Sequence, residues 1–197
     1  MRAIFGLGNP GLRYQRNRHN AGFLILDSFA ESNSIRFKAA KGDYYFAKGE
    51  LRRTDYYLIK PTTYVNKSGL AVLQFLENYK IDLEDFLVVC DDINLDTGIL
   101  RVRSSGGDGG HNGLASIIFH LNSDQFPRLR IGIGKSFEEG NLSSFVLTDF
   151  TEEEGSLLVE AFKNSNYLIE AFIAGGIKKM LNANSKLFKE SSSAKFN

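Results

Sequence analysis

Apolar and polar positions along this chain fall into two periods, and the two alternate. Ala3 to Leu7 is a short apolar run that ends in the turn GNPG, and reads as a first strand. Ala21 to Asn33 places Phe23, Leu26, Phe29 and Ala30 at helical spacing. Tyr44–Ala47 and Tyr56–Ile59 are aromatic and apolar, as strands are. Lys67 to Tyr79 repeats Leu70, Leu73 and Leu76 and predicts a helix capped by Asn66 or Ser68. Phe86–Cys90 (FLVVC) is apolar throughout, the mark of a strand buried on both faces. Ile99–Arg103 and Arg128–Ile133 alternate basic with apolar residues, and Gly113–Leu121 reads as a short helix. Thr151-x-x-Glu154 is a capping box before a long helical stretch, with Gly175-Gly176 as its weak point. Strands interleaved with helices imply an α/β sheet with helices on both faces. No linker or repeat interrupts the pattern, so one domain is expected over residues 1–188. The polar segment from Lys189 to Asn197 is expected to fray.

Composition narrows the class. A chain of 197 residues, 43% hydrophobic and 24% charged, can bury one core. Its one cysteine, Cys90, cannot form an internal disulfide. No apolar run could span a bilayer, and the N-terminus turns glycine-rich too early for a signal peptide. A cytoplasmic enzyme or binding domain is the expectation, with no membrane partner. Net charge is only +1, but residues 1–60 carry 11 Lys+Arg against 5 Asp+Glu, leaving 13 against 18 for the rest. A local basic face is compatible with that split.

The candidate chemistry collects at strand-to-helix junctions. His19 opens the first helix, and His111 ends the loop GGDGG. Asn9, Asn66 and Asn112 sit at similar junctions. Taken singly, each is more readily a turn or cap residue. In an open α/β sheet, however, ligands bind beyond the carboxyl ends of the strands, where distant junctions meet. The FLVVC strand delivers Asp91 to that edge, and a carboxylate beside an imidazole makes it a better base. His19 with Asp91 would activate water, and asparagine amides suit a developing oxyanion. There is no G-x-S-x-G elbow and no metal-ligand spacing, and Cys90 reads as core. His120 carries no motif and reads as structural. Arg101 with Arg103, and Arg128 with Arg130, share strand faces; they are either solvated or a phosphate clamp.

Taken in order, GLGNPG, YQRNRHNAGF, KPTTYVNKSG, DDINLDTG and GGDGGHNGL resemble the bacterial-type peptidyl-tRNA hydrolase family over residues 1 to about 150. The resemblance implies a single three-layer α/β/α domain around a twisted mixed sheet, monomeric, without metal or cofactor. It implies hydrolysis of the ester between peptide and the terminal ribose of tRNA. His19 is then the base and Asp91 its partner. Asn9, Tyr14, Tyr64 and Asn66 are substrate-binding, with Asn66 toward the oxyanion. His111 and Asn112 would contact the peptide, and Arg103 and Arg130 the tRNA phosphates. Two departures stand out: Val65 replaces the usual methionine, and Asn94 follows the acidic pair where aspartate is usual. Two other readings are an RNA-binding module that has lost hydrolysis, and a nucleotide-binding protein using the glycine loop. The first is opposed by the retained His19, Asp91, Asn9 and Asn66, the second by the absence of G-x-x-x-x-G-K-[ST].

Overall fold

The computed structural model describes residues 1–138 and 140–193. Seven strands form one mixed sheet in the order β2-β3-β4-β1-β5-β7-β6. They are β1 (Arg2–Gly6), β2 (Lys38–Ala39), β3 (Tyr44–Leu51), β4 (Thr54–Pro61), β5 (Phe86–Asp92), β6 (Leu100–Arg103) and β7 (Arg128–Gly132). The central four, β4-β1-β5-β7, run parallel, and both edges are antiparallel. Helices α1 (Ala21–Ser32) and α5 (Glu152–Ser193) contact each other on one side. Helices α2 (Ser68–Tyr79) and α3 (Asn112–Leu121) pair on the other, and a short α4 (Leu142–Phe145) precedes α5.

β5 is the spine. All seven of its residues are buried. Leu87 and Val89 enter the core beneath α1 and α5, while Phe86, Val88 and Cys90 enter the core beneath α2 and α3. That period-two division is what a continuous apolar strand does when both faces are covered. Burial pushes the Cys90 thiol up to about 12, so it stays an inert core group.

The elements differ from the sequence reading where local signals were weak. β3 and β4 form a hairpin longer than their apolar centres suggest, closed by Arg52-Arg53 with both φ positive at 50° and 64°. A two-residue turn of this hand usually carries Asn or Gly, so Arg-Arg gave no cue. Neither Asn66 nor Ser68 caps α2. A 3-10 turn at Val65–Lys67 runs into the helix, and Lys67 occupies the cap position without a side-chain bond. The capping box at α5 forms: the Glu154 carboxylate accepts from Thr151 N at 2.8 Å, and Glu154 N donates to Thr151 Oγ at 3.4 Å. The helix breaks at Gly175-Gly176, where Gly176 has φ 64°. It then continues to Ser193; residues 194–197, the last part of the expected frayed tail, lie outside the described residues.

Gly22 brings α1 onto the sheet. A Cβ there would lie 2.6 Å from both Leu7 N and Leu7 O, and nearer still to Val89 O. All are backbone atoms, so nothing can swing aside. Gly22→Ala is expected to destabilise the fold by about 3 kcal/mol, the upper part of the usual overpacking range. Urea denaturation checks it; an unchanged midpoint would show that α1 can shift off the strands.

Candidate active site

Parallel β1, β4 and β5 end on the same edge, so the segments that follow them meet. The 3-10 turn Arg18–Asn20 leads into α1 and holds all three residues buried. His19 Nδ1 lies 2.9 Å from Asp91 Oδ1 at the end of β5. The expected pair therefore forms, across 72 positions of sequence.

Asp91 is shared. His111 Nε2 lies 2.9 Å from the same Oδ1. His111 Nδ1 faces the other way and accepts from Gly113 N at 3.0 Å and Leu114 N at 3.3 Å, capping α3. Nδ1 accepts from these backbone N–H groups, and Nε2 faces the Asp91 carboxylate, which can only accept. Both of its nitrogens are engaged here, one with Asp91 and one at the start of α3. For His19 the donor to Asp91 is Nδ1–H, and Nε2 has no partner among the described residues.

Electrostatics follows from this sharing. Burial opposes charge on His19, but the attraction of Asp91 and its hydrogen bond outweigh it and raise the imidazole above the ordinary 6.5. Burial alone would raise Asp91 as well. The pull of His111 and of His19, each donating N–H, instead holds it well below the usual carboxylate range. His19, Asp91 and His111 are also the one group of three metal-ligand types among the described residues, with donor atoms within 4.8 Å of one another. Those atoms are here engaged in the shared hydrogen bonds.

Asparagines stitch the neighbouring loops together. Asn9 N donates to Asn20 Oδ1 at 2.8 Å, and Asn20 Nδ2 donates back to Asn9 O at 2.9 Å. Val65 N donates to Asn9 Oδ1 at 3.0 Å. The amide of Asn9 is thereby oriented: its oxygen is taken, and its Nδ2 has no partner among the described residues. Val65 acts through its main chain, so this bond does not depend on the methionine it replaces. The same holds for Asn94, whose N donates to Asp92 Oδ1 at 2.8 Å. Asn66 is exposed in its 3-10 turn. Tyr14 and Tyr64 meet edge to face with centroids 6.4 Å apart, and the Arg13 guanidinium lies 4.5 Å over Tyr14.

A cleft of about 210 Å³ opens beside His19 and Asp91. Asp92, His111, Asn112 and Arg130 line it, closed by the glycine loop on one side and Leu142, Ser143 and Val146 on the other. Gly106, Gly109 and Gly110 all have positive φ, which only glycine adopts without strain. Asp108 folds back onto its own loop, accepting from Gly110 N at 2.7 Å. The carboxylate stays at the exposed surface of the loop, as expected.

The four strand arginines sit on one face, because Arg101 pairs in register with Arg130, and Arg103 with Arg128. They are not equivalent. Arg128 is 1% exposed, donating to Gly107 O at 2.7 Å and Asp124 O at 3.0 Å, so it anchors the glycine loop from below. Arg130 pairs with Asp92 at 3.1 Å and reaches Asp108 O at 3.4 Å. Arg103 is exposed and, among the described residues, bonded only to its neighbour Val102 O at 3.2 Å. His120 bonds Ser116 O within α3, the structural role expected.

The family model described as Peptidyl-tRNA hydrolase matches residues 3–193. A peptidyl-tRNA hydrolase of Chlorobaculum parvum is 45% identical over 179 residues, covering 90% of this chain and 94% of that protein. One of Lachnospira eligens is 42% identical over 182 residues, covering 92% and 98%. The crystal structure of peptidyl-tRNA hydrolase from Acinetobacter baumannii superposes with a TM-score of 0.88 at 34% identity, covering 93% of this chain and 94% of that one.

Proposed function

Because the chain belongs to the peptidyl-tRNA hydrolase family, an enzyme family that cleaves the ester between peptide and tRNA, we propose that His19 is the general base of that hydrolysis. The observation that carries this reading is the one-sided hydrogen bonding of His19, a residue that lines the cleft: Nδ1–H is committed to Asp91, and Nε2 has no partner among the described residues. A water at Nε2 gives up a proton as its oxygen attacks the ester carbonyl carbon. The carbonyl oxygen becomes an oxyanion, for which the amide N–H groups of Asn9 and Asn66 are the donors. As the intermediate collapses, the imidazolium returns the proton to the departing ribose oxygen. Free tRNA and a peptide carboxylate leave.

The rest of the site is assigned by chemistry. Tyr14 and Tyr64 form an aromatic shelf for the terminal base of the tRNA, and Arg13 stacked on Tyr14 adds positive charge. Asn112, exposed in the cleft, hydrogen-bonds peptide main chain, which every peptide offers. His111 forms the cleft wall and holds Asp91 in place. Arg103 and Arg130 face the acceptor-stem phosphates. A single catalytic domain over residues 1–188, monomeric and cytoplasmic, completes the reading; among the described residues no helix is long and apolar enough to cross a membrane.

Release of peptide from an N-acylated aminoacyl-tRNA, compared with the unblocked form, tests the function directly. Preferential cleavage of the blocked ester is expected, and equal cleavage would demand another substrate class. The arginines make a separable prediction. Arg103→Ala should flatten the salt dependence of tRNA binding by about 0.9 in log–log slope, the loss of one phosphate contact. Arg130→Ala should change it less, since Arg130 already spends part of its charge on Asp92. An unchanged slope for Arg103→Ala would remove it from the tRNA surface.

A further inference from the structure

We propose that Arg18, gripped by Glu154 from the first turn of α5, is a positioning residue that acts through His19. The proposal rests on the reading of His19 as base. It begins with a side chain that the hydrolysis itself does not use. Arg18 is buried, yet each of its three guanidinium nitrogens has a hydrogen-bond partner. Its two terminal nitrogens reach the two oxygens of Glu154 at 2.7 and 2.8 Å. Nη1 also donates to Ile133 O at 2.9 Å, and Nε to Thr148 Oγ1 at 3.2 Å. The rings of Phe145 and Phe150 lie 4.6 and 4.9 Å from its central carbon.

The backbone repeats the restraint. Arg18 N donates to Thr148 O at 2.9 Å, His19 N donates to Val146 O at 2.8 Å, and Asn17 bridges to Asp149. Residues 17–19 are thus laid against 146–149 like a short strand. Val146 also lines the cleft, so one fastening sets both the imidazole and the wall facing it.

Glu154 is built to hold this grip. Besides Arg18, it accepts from Thr97 Oγ1 at 2.8 Å and from Thr151 N at 2.8 Å, and its carboxyl is held down to about 2. The capping box therefore has a second task. A half-buried ion pair is a poor source of stability compared with apolar packing, but a bidentate fork fixes direction as well as distance. Direction is what a base 2.9 Å from its carboxylate requires.

The test uses the full-length enzyme on N-acylated aminoacyl-tRNA. Glu154→Gln is the main variant, because glutamine can still accept from Thr151 N while losing the charged fork. It should lower kcat by about 10- to 100-fold with little change in KM, the scale of a misplaced catalytic group. The acid limb of its pH profile should move toward lower pH as the His19–Asp91 contact loosens. Thr151→Ala, which weakens the cap alone, should lower Tm and leave kcat and the pH profile as they were. Arg18→Lys should recover part of the loss seen in Arg18→Ala. If Arg18 acts through His19, Glu154→Gln costs nothing further in a His19→Ala background. Equal costs in both backgrounds would overturn the proposal while leaving His19 as base. So would a Glu154→Gln enzyme that, like Thr151→Ala, loses Tm and keeps its pH profile. Wild-type turnover in His19→Ala would instead sink the base reading on which the proposal rests.

Discussion

His19→Ala is expected to lower kcat by about 10³-fold, the middle of the range for loss of a general base, with KM nearly unchanged. In the proposed mechanism the imidazole acts on the attacking water rather than on the bound substrate, so its loss should appear in the chemical step. The residual rate reports what positioning and the asparagine donors supply unaided. Steady-state hydrolysis of an N-acylated aminoacyl-tRNA measures both constants. The wild-type profile adds a signed expectation. The base must be neutral, so kcat/KM falls as pH drops through the pKa of His19. Asp91 raises that pKa, so the acid limb should lie above pH 6.5. A limb below 6.5 would mean that Asp91 does not govern the imidazole in solution.

Substitutions at Asp91 should separate charge from orientation. One carboxylate oxygen accepts from both histidines. The amide oxygen of Asp91→Asn can take its place and keep both N–H donors, so the tautomers survive and only the charge is lost. We expect a fall in kcat of about 10²-fold, together with an acid limb shifted toward lower pH, because nothing then stabilises the imidazolium. Asp91→Ala should be worse, about 10³- to 10⁴-fold, since it also frees the orientation. It leaves His111 Nε2–H unpaired beside a helix cap that the same ring supplies. Thermal unfolding should register that difference, with Asp91→Ala the less stable of the two. Identical profiles for the two variants would mean that the shared oxygen does no orienting.

The expected folding cost of Gly22→Ala concerns the same geometry from below. α1 must approach the backbone of Leu7 and Val89 closely enough for the turn before it to reach Asp91. The glycine is thus part of how a helix start comes to the carboxylate at the end of β5. Its neighbour Asn20, bonded twice to Asn9, acts in the same way on the donor side of the site.

How far the sequence leads depends on what each feature answers to. Period and composition are local. They suffice for the buried strand FLVVC, for the helices over Ala21–Ser32 and Ser68–Tyr79, and for the break at Gly175-Gly176. The pairing of His19 with Asp91 was reachable too, because parallel strands bring their carboxyl ends to one edge, whatever the loops do. Features without a local cue were missed. The Arg52-Arg53 turn lacks the usual residues, and the end of α2 nearest the site is shaped by a 3-10 turn rather than a cap.

Arg128 and Arg103 illustrate the division best. In sequence both are basic residues alternating with apolar ones, and in register they stand opposite each other. One is sealed beneath the glycine loop, and the other faces solvent. The same holds for His111, whose two nitrogens were free to be anything until α3 and Asp91 closed on them.

By itself, the sequence determined the main strands and helices of this protein, its family, and the pairing of His19 with Asp91, since those follow from periodicity, ordered motifs and the direction of parallel strands. Only the tertiary structure decided that Asp91 serves two histidines, that Arg128 is internal, and that Glu154 reaches across 136 positions to Arg18. Hydrogen-bond partners are chosen by distances of a few tenths of an ångström, and those distances exist only after the whole core has packed.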